Sequence, residues 1–176
     1  YSRMLGGNLV RIDVENARGE NLTNGDLVGT KDGSAYGLVF DPQDENVFYF
    51  SNNDKHCIYK YDLRTKECAC WAGQEGKSGY LDGPIGQAMF NKPGQMCVDS
   101  EGNIILTDTE NHCIRKITMS TGYVSTLAGK PQNSGYVNGS AEDAQFKKPL
   151  GICIDNDDVM YIGDSENRAI RRLAVE

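Results

Sequence analysis

Three polar turns carry the side chains best suited to binding a ligand. They span residues 52–56, 108–112 and 164–168, and each follows an apolar run of the sequence. Their imidazole, guanidinium, amide and carboxylate groups could hydrogen-bond to the polar groups of a ligand. From these turns, the candidate ligand-binding residues are Asn53, His56, Asp108, Asn111, His112 and Arg168.

A structural role is the alternative for the Asp and Asn residues of these turns. Their short side chains accept hydrogen bonds from backbone N–H groups that a turn leaves unpaired. Asn52 stands where the other two turns have Asp, and Asn serves this purpose equally well. His112 and Arg168 are less needed by a turn, which favours them as ligand contacts.

The two histidines are the first residues to consider for a metal site. His56 and His112 occupy equivalent turns, but the third turn has Arg168 at this position. A catalytic zinc site commonly uses about three protein ligands. We therefore predict no metal ligands and no cofactor. No catalytic residues are assigned, because the GxSxG and HExxH motifs and a phosphate-binding glycine loop are missing from the sequence.

Two further segments, residues 80–83 and 136–139, combine a tyrosine with a turn dipeptide. An aromatic ring can stack on the C–H groups of a sugar while a neighbouring carboxylate or amide binds its hydroxyls. This chemistry adds four residues to the candidate site: Tyr80, Asp82, Tyr136 and Asn138. The alternative is a packed loop whose tyrosine lies on the core.

The basic pairs Arg115-Lys116 and Arg171-Arg172 are candidates for anion contacts. Alternation along a strand sends the two members of each pair to opposite faces. We expect solvent-facing charge and cross-strand pairing. The formal net charge of −7 and the lack of aromatic residues between the basic ones argue against a nucleic-acid partner.

All of these residues belong to a repeat of 56 residues. Residues 92–117 align without a gap with residues 148–173, and the preceding segments align at the same offset. A diverged copy opens at Gly37 and has a two-residue insertion after Asp41. Residues 9–14 line up with residues 58–63 and form a truncated fourth copy.

Each unit reads as short apolar strands between turn signals. In the central unit the predicted strands are 95–98, 104–107, 113–118 and 123–127. Four antiparallel strands per repeat are typical of a β-propeller blade. No segment shows sustained helical periodicity, and no run of about 18 apolar residues suggests membrane insertion.

One known motif is similar to the repeat. The residues that carry the similarity are Gly102, Asn103, Asp108, Asn111, His112, Ile114, Arg115, Lys116 and Ile117. They resemble the NHL repeat, named for an Asn-His-Leu triplet. The resemblance implies a β-propeller in which the Asp and Asn hold a turn. The connector residues 79–83 and 88–90 resemble a bacterial cell-envelope subset, which implies a secreted, periplasmic or cell-surface location.

The predicted fold is therefore all-β. It is a partial β-propeller of about three four-stranded antiparallel blades, the C-terminal part of a six-bladed ring. The expected divisions are the outer strands of a truncated blade (1–29), two blades (30–73 and 74–129) and a blade lacking its outer strand (130–176). Upstream sequence or another chain would supply the missing blades.

The predicted function is a non-catalytic ligand-binding or interaction module. Its partner would be a glycan or a protein, bound on the face that carries the polar turns and the tyrosine connectors. The alternative function is a metal-dependent hydrolase or lyase with its site in the propeller channel. The fold alone does not decide between these classes.

Overall fold

The computed structural model of the protein describes residues 10–13, 15–21 and 35–174. Strands in these ranges pair antiparallel and form a hairpin and three larger sheets. The hairpin joins β1 (Val10–Asp13) to β2 (Arg18–Asn21). Among the described residues, no helix is long and apolar enough to cross a bilayer.

The three larger sheets are successive blades of a partial β-propeller, as the sequence predicts. The first blade contains β3 (Ala35–Asp41), β4 (Asp44–Asn52), β5 (Cys57–Asp62) and β6 (Cys68–Ala72). The second contains β7 (Gly83–Pro84), β8 (Pro93–Val98), β9 (Ile104–Asp108), β10 (Cys113–Thr118) and β11 (Tyr123–Ala128). The third contains β12 (Pro149–Ile154), β13 (Met160–Asp164) and β14 (Ala169–Leu173).

The predicted strands of the second blade are confirmed with small shifts at their ends. The inner strand β8 begins at Pro93, two residues before the predicted start. The strand β7 was not predicted; it consists of two connector residues paired with Tyr123 and Val124 at the outer edge. The blade therefore has five strands in the order β7-β11-β10-β9-β8.

Each connector between blades is wedged into the seam that the two blades form. In the first seam, Ala88 and Phe90 of the connector pack between Ile58 of the first blade and Leu106 of the second. The second seam repeats this arrangement with its own residues: Ala144, Phe146, Ile114 and Ile162. The apolar connector residues thus complete a core that two blades share.

Strand register sorts the loops onto two faces of the molecule. The start of each inner strand pairs with the end of the next strand, as Pro93 does with Asp108 and Pro149 with Asp164. The polar turns and the connectors therefore lie at one end, which we call the connector face. The opposite end, the hairpin face, carries the turns between first and second strands and between third and fourth strands.

The third blade exposes the side that is covered in the other two. Ile58 and Ile114 have no exposed surface, whereas Ile170, at the equivalent position, is 74% exposed. Its neighbour Tyr161 is 39% exposed, although the equivalent Ile105 is fully buried. The second blade covers this side of the first, and the third covers this side of the second. Among the described residues, nothing covers it on the third blade.

Candidate functional site

The polar turns of the second and third blades each contain a single turn of 3-10 helix, Thr109–Asn111 and Ser165–Asn167. The next residue, His112 or Arg168, has a left-handed backbone with φ of 59° or 53°. His56 has a φ of 57° at the same position of the first blade. A left-handed residue other than glycine costs roughly 1–3 kcal/mol, so surrounding contacts must hold these turns.

Asp108 and Arg115 form the buried centre of the second turn. Neither side chain has exposed surface, and Arg115 Nη1 donates to Asp108 Oδ2 at 2.7 Å. Asn111 Nδ2 donates to the same oxygen at 2.8 Å, and the Asn91 backbone N–H donates to Asp108 Oδ1 at 2.8 Å. Burial raises the pKa of Asp108 to about 6, against the opposing effect of Arg115.

Arg115 also fastens the connector to the blade. Its Nη2 donates to Asp82 Oδ1 at 2.6 Å and to the Leu81 carbonyl oxygen at 2.9 Å. The guanidinium carbon lies 4.9 Å from the ring centroid of Tyr80 and 5.1 Å from that of Phe90. The expectation of a solvent-facing charge at Arg115 is therefore wrong. Its charge is buried between carboxylates, carbonyl oxygens and aromatic rings.

The third blade repeats this network, with an amide in place of one carboxylate. Arg171 Nη1 donates to Asp164 Oδ2 at 3.0 Å, and its Nη2 donates to Asn138 Oδ1 at 2.7 Å. The Arg171 guanidinium carbon lies 4.9 Å from the ring centroid of Tyr136 and 5.0 Å from that of Phe146. Arg171 is 8% exposed, so it too departs from the expected solvent-facing charge.

The first blade lacks both charged members of the network. At the positions of Asp108 and Arg115 it has Asn52 and Tyr59. Asn52 Oδ1 accepts a hydrogen bond from the Lys55 backbone N–H at 3.0 Å. Carboxylate and guanidinium are absent together because either one buried alone would be strongly destabilising.

The histidines join each blade to the next. The Lys92 backbone N–H donates to His56 Nδ1 at 3.0 Å, and the Lys148 backbone N–H donates to His112 Nδ1 at 3.1 Å. Because Nδ1 is an acceptor, the neutral ring carries its proton on Nε2. Burial lowers the pKa of both rings, which favours the neutral form.

Hydroxyl groups close the seams between inner strands on the connector face. Ser51 Oγ donates to the Gly94 carbonyl oxygen at 2.6 Å, and Thr109 Oγ1 donates to the Pro149 carbonyl oxygen at 2.8 Å. Gly37 is required here, since a Cβ atom would lie 2.8 Å from the Met96 backbone nitrogen. These contacts are structural.

The candidate residues separate by exposure. The buried residues are Asn53, Asp108 and Asn111. The half-buried residues are His56, His112, Tyr80 and Asp82, and the exposed residues are Tyr136, Asn138 and Arg168. The structure brings Tyr80, Asp82, Asp108 and Asn111 together around Arg115, so their polar groups are largely used inside the protein. The His56 and His112 Nε2 groups and the Arg168 guanidinium have no partner among the described residues.

Sequence reasoning missed Arg115 and Arg171 as organising residues. The signal was present, because each arginine lies seven residues after an aspartate and both members of the pair change in the first blade. It also missed Tyr36, which is 43% exposed at the start of β3 on the connector face. In the part of the chain that the structure describes, no three His, Cys, Asp or Glu side chains are grouped to hold a metal ion.

The fold and the repeated network define a class of protein, the β-propeller built from short antiparallel blades. The NHL repeat family model matches residues 90–117. NHL repeat-containing protein 2 from Gallus gallus is 30% identical over 85% of this chain and 19% of its own length. The chain therefore contains an NHL repeat within a β-propeller fold.

Solved structures support the same assignment. A structural-genomics protein of unknown function from Bacteroides thetaiotaomicron is 29% identical, with a TM-score of 0.86 over 97% of this chain and 43% of that one. A protein described as an auxiliary nutrient binding protein from the same organism is also 29% identical, with a TM-score of 0.74 over 96% of this chain and 43% of that one. The chain therefore spans less than half the length of these two solved structures and less than a fifth of the length of its curated relatives.

Proposed function

We propose that the protein is a non-catalytic module that binds a glycan on the connector face. The observation that carries this proposal is the repeated position of His56, His112 and Arg168. In three successive blades this left-handed position presents a hydrogen-bond donor that has no partner among the residues that the structure describes.

The chemistry of these groups suits an oxygen-rich ligand. The Nε2–H groups of His56 and His112 and the Arg168 guanidinium are donors, so they complement hydroxyl and carboxylate oxygens. Tyr36 adds an exposed aromatic ring at the start of β3 on this same face. A ring face that stacks on sugar C–H groups beside several donors is a typical glycan site.

The description of one structural relative favours a binding role. One structural relative at 29% identity is described as an auxiliary nutrient binding protein of Bacteroides thetaiotaomicron. We extend the binding role and an envelope or secreted location to the protein described here. We also propose that further blades, from upstream sequence or from another chain, complete the same face.

A glycan array probed with the intact protein tests this proposal, followed by calorimetric titration of the best glycan. We expect His112→Asn with Arg168→Asn to weaken binding by about tenfold or more. Asn accepts the left-handed backbone, and its Oδ1 can replace Nδ1 as an acceptor, so the fold is retained.

The control is Lys66→Asn, which changes an exposed left-handed residue (φ of 63°) on the hairpin face. It should leave affinity unchanged. The proposal fails if no glycan binds and a protein partner is found instead, or if the connector-face and control variants bind equally well.

A further inference from the structure

A groove on the hairpin face lies between the first and second blades. Its volume is about 640 Å³, within the range of about 300–1,000 Å³ that is usual for small-molecule sites. It is lined by one turn of the first blade, residues 41–43, and two turns of the second, residues 101–103 and 118–120.

The next seam shows hydrogen bonds that join two blades at this end. The Ser100 backbone N–H donates to Asp158 Oδ1 at 2.9 Å, and Ser100 Oγ donates to Asp158 Oδ2. These bonds form a polar clip between the second and third blades. The cavity in that seam has a volume of only about 210 Å³, and Ser100 and Asp158 both line it.

In the first seam the clip is replaced by residues that cannot form it. The repeat aligns Asp41 with Asp99, so Pro42 corresponds to Ser100, and Gly102 corresponds to Asp158 at the repeat offset. Proline has no N–H to donate and glycine has no carboxylate. The two turns are close to each other, since a Cβ atom on Gly102 would lie 3.5 Å from Pro42 Cγ. Pro42 and Gly102 therefore face each other without the hydrogen bonds of the clip.

The groove lining has the chemistry of a site for a hydroxylated, positively charged ligand. It contains the carboxylate of Glu101, the hydroxyl of Ser120 and the carboxylate of Asp41, which already accepts a hydrogen bond from the Tyr49 hydroxyl at 2.8 Å. None of the lining residues is Lys, Arg or His. The Glu101 side chain is 74% exposed, and its ion pair with Lys116 spans 3.5 Å. Carboxylates in such a setting attract ammonium and hydroxyl donors and repel anions.

Apolar groups complete the lining. Met119 is half-buried beside the carboxylates, and the Pro42 ring is exposed. The apolar atoms of a thioether and a proline ring can pack against the C–H groups of a sugar ring. We propose that this groove is a second ligand site, separate from the connector face, and that it binds an amino sugar.

Calorimetric titration of the intact protein with glucosamine disaccharide tests this site. N-acetylated glucosamine disaccharide is the neutral probe, and a glucuronate-containing disaccharide is the anionic one. We expect the amine probe to bind about tenfold more tightly than the neutral probe, and the anionic probe not to bind.

Rebuilding the clip should close the groove. Pro42→Ser combined with Gly102→Asp copies the pair in the next seam, and Asp158 already adopts a φ of 57° where Gly102 has 82°. We expect this double variant to melt at or above the temperature of the parent and to lose about tenfold or more in affinity for the amine probe. Ser100→Ala with Asp158→Asn, in the other seam, is the matched control and should bind normally.

A second variant covers the case in which the rebuilt clip does not fold. Glu101→Gln changes an exposed side chain and should weaken the amine probe while leaving the neutral probe unchanged. The proposal is overturned if the amine probe does not bind at millimolar concentration, or if it binds no more tightly than the neutral one. Equal binding by a folded clip variant would also overturn it.

Discussion

The ion pair of Asp108 and Arg115 decides how the candidate site is interpreted. Its carboxylate and guanidinium are fully buried and held by further hydrogen bonds. The polar residues around it, which looked like a ligand-binding group, are the means by which a long connector is attached to a blade. Among the described residues, the side chains on this face whose donors have no protein partner are His56, His112 and Arg168, and the proposed ligand contacts are assigned to them.

Removing one member of this pair should be costly. We predict that Arg115→Met destabilises the protein by about 3–5 kcal/mol, because Asp108 would be left buried without its partner. Combining it with Asp108→Asn should recover part of the loss, because the first blade has uncharged residues at both equivalent positions. Urea unfolding measures both values, and a double variant no more stable than the single one would contradict this explanation.

Histidine protonation should weaken the contact between blades. The folded-state pKa of His112 lies below its ordinary value of 6.5 because burial favours the neutral ring. Its contribution to stability is therefore complete above about pH 6.5 and is lost as pH falls through the folded-state pKa.

We predict that the free energy of unfolding falls between pH 7.5 and pH 5 and that His112→Asn reduces this fall. Unfolding curves at several pH values measure the difference. An identical pH dependence in the two proteins would show that the hydrogen bond from the Lys148 backbone is not pH-sensitive.

At the scale of elements, the connectors act as part of the core. Phe90 and Ala88 are fully buried between two blades, while Leu81, in the same connector, is 46% exposed. The connector is thus bound by its apolar residues in the seam and by Arg115 at the rim. This packing accounts for the length of the connector.

Truncating the wedge should therefore destabilise the seam. We predict that Phe90→Ala costs about 3–5 kcal/mol, as is usual for a buried phenylalanine. Leu81→Ala is the matched control and should change stability by less than about 0.5 kcal/mol, the usual range for surface changes. Comparable losses in the two variants, measured by urea unfolding, would mean that the wedge does not carry the seam.

For the whole molecule, the blades form an arc with one open side. Ile170 and Tyr161 of the third blade are exposed where their equivalents are buried. The arc also has two chemically different faces, one with unused donors and one with an acidic groove. We predict that upstream sequence or another chain closes this arc in the intact protein.

In that protein a further blade should cover Ile170. We predict that Ile170→Asp then destabilises by several kcal/mol, since burying an unpaired carboxylate is costly. Lys60→Asp, an exposed change on β5 of the first blade, should have little effect. Unfolding of the intact protein by urea gives both values, and a neutral Ile170→Asp would mean that this side stays open.

The sequence by itself determined the blades, because alternating apolar residues and turn signals are local and repeat at a fixed spacing. It also identified the polar turns and the tyrosine connectors as special positions. Which of their side chains remain available to a ligand was decided only by tertiary structure. Asp108 and Arg115 lie near each other along the chain, but Asp82 and Tyr80 reach them through a connector whose path depends on packing in the seam.

The acidic groove makes the same point on the other face. Pro42 and Gly102 are ordinary turn residues in the sequence. Their importance appears only when the blades are assembled, because Pro42 and Gly102 then meet across the first seam. In the second seam the equivalent residues, Ser100 and Asp158, are joined by hydrogen bonds. Local patterns thus determined the repeat unit, whereas contacts between units decided which residues are structural and where a groove remains open.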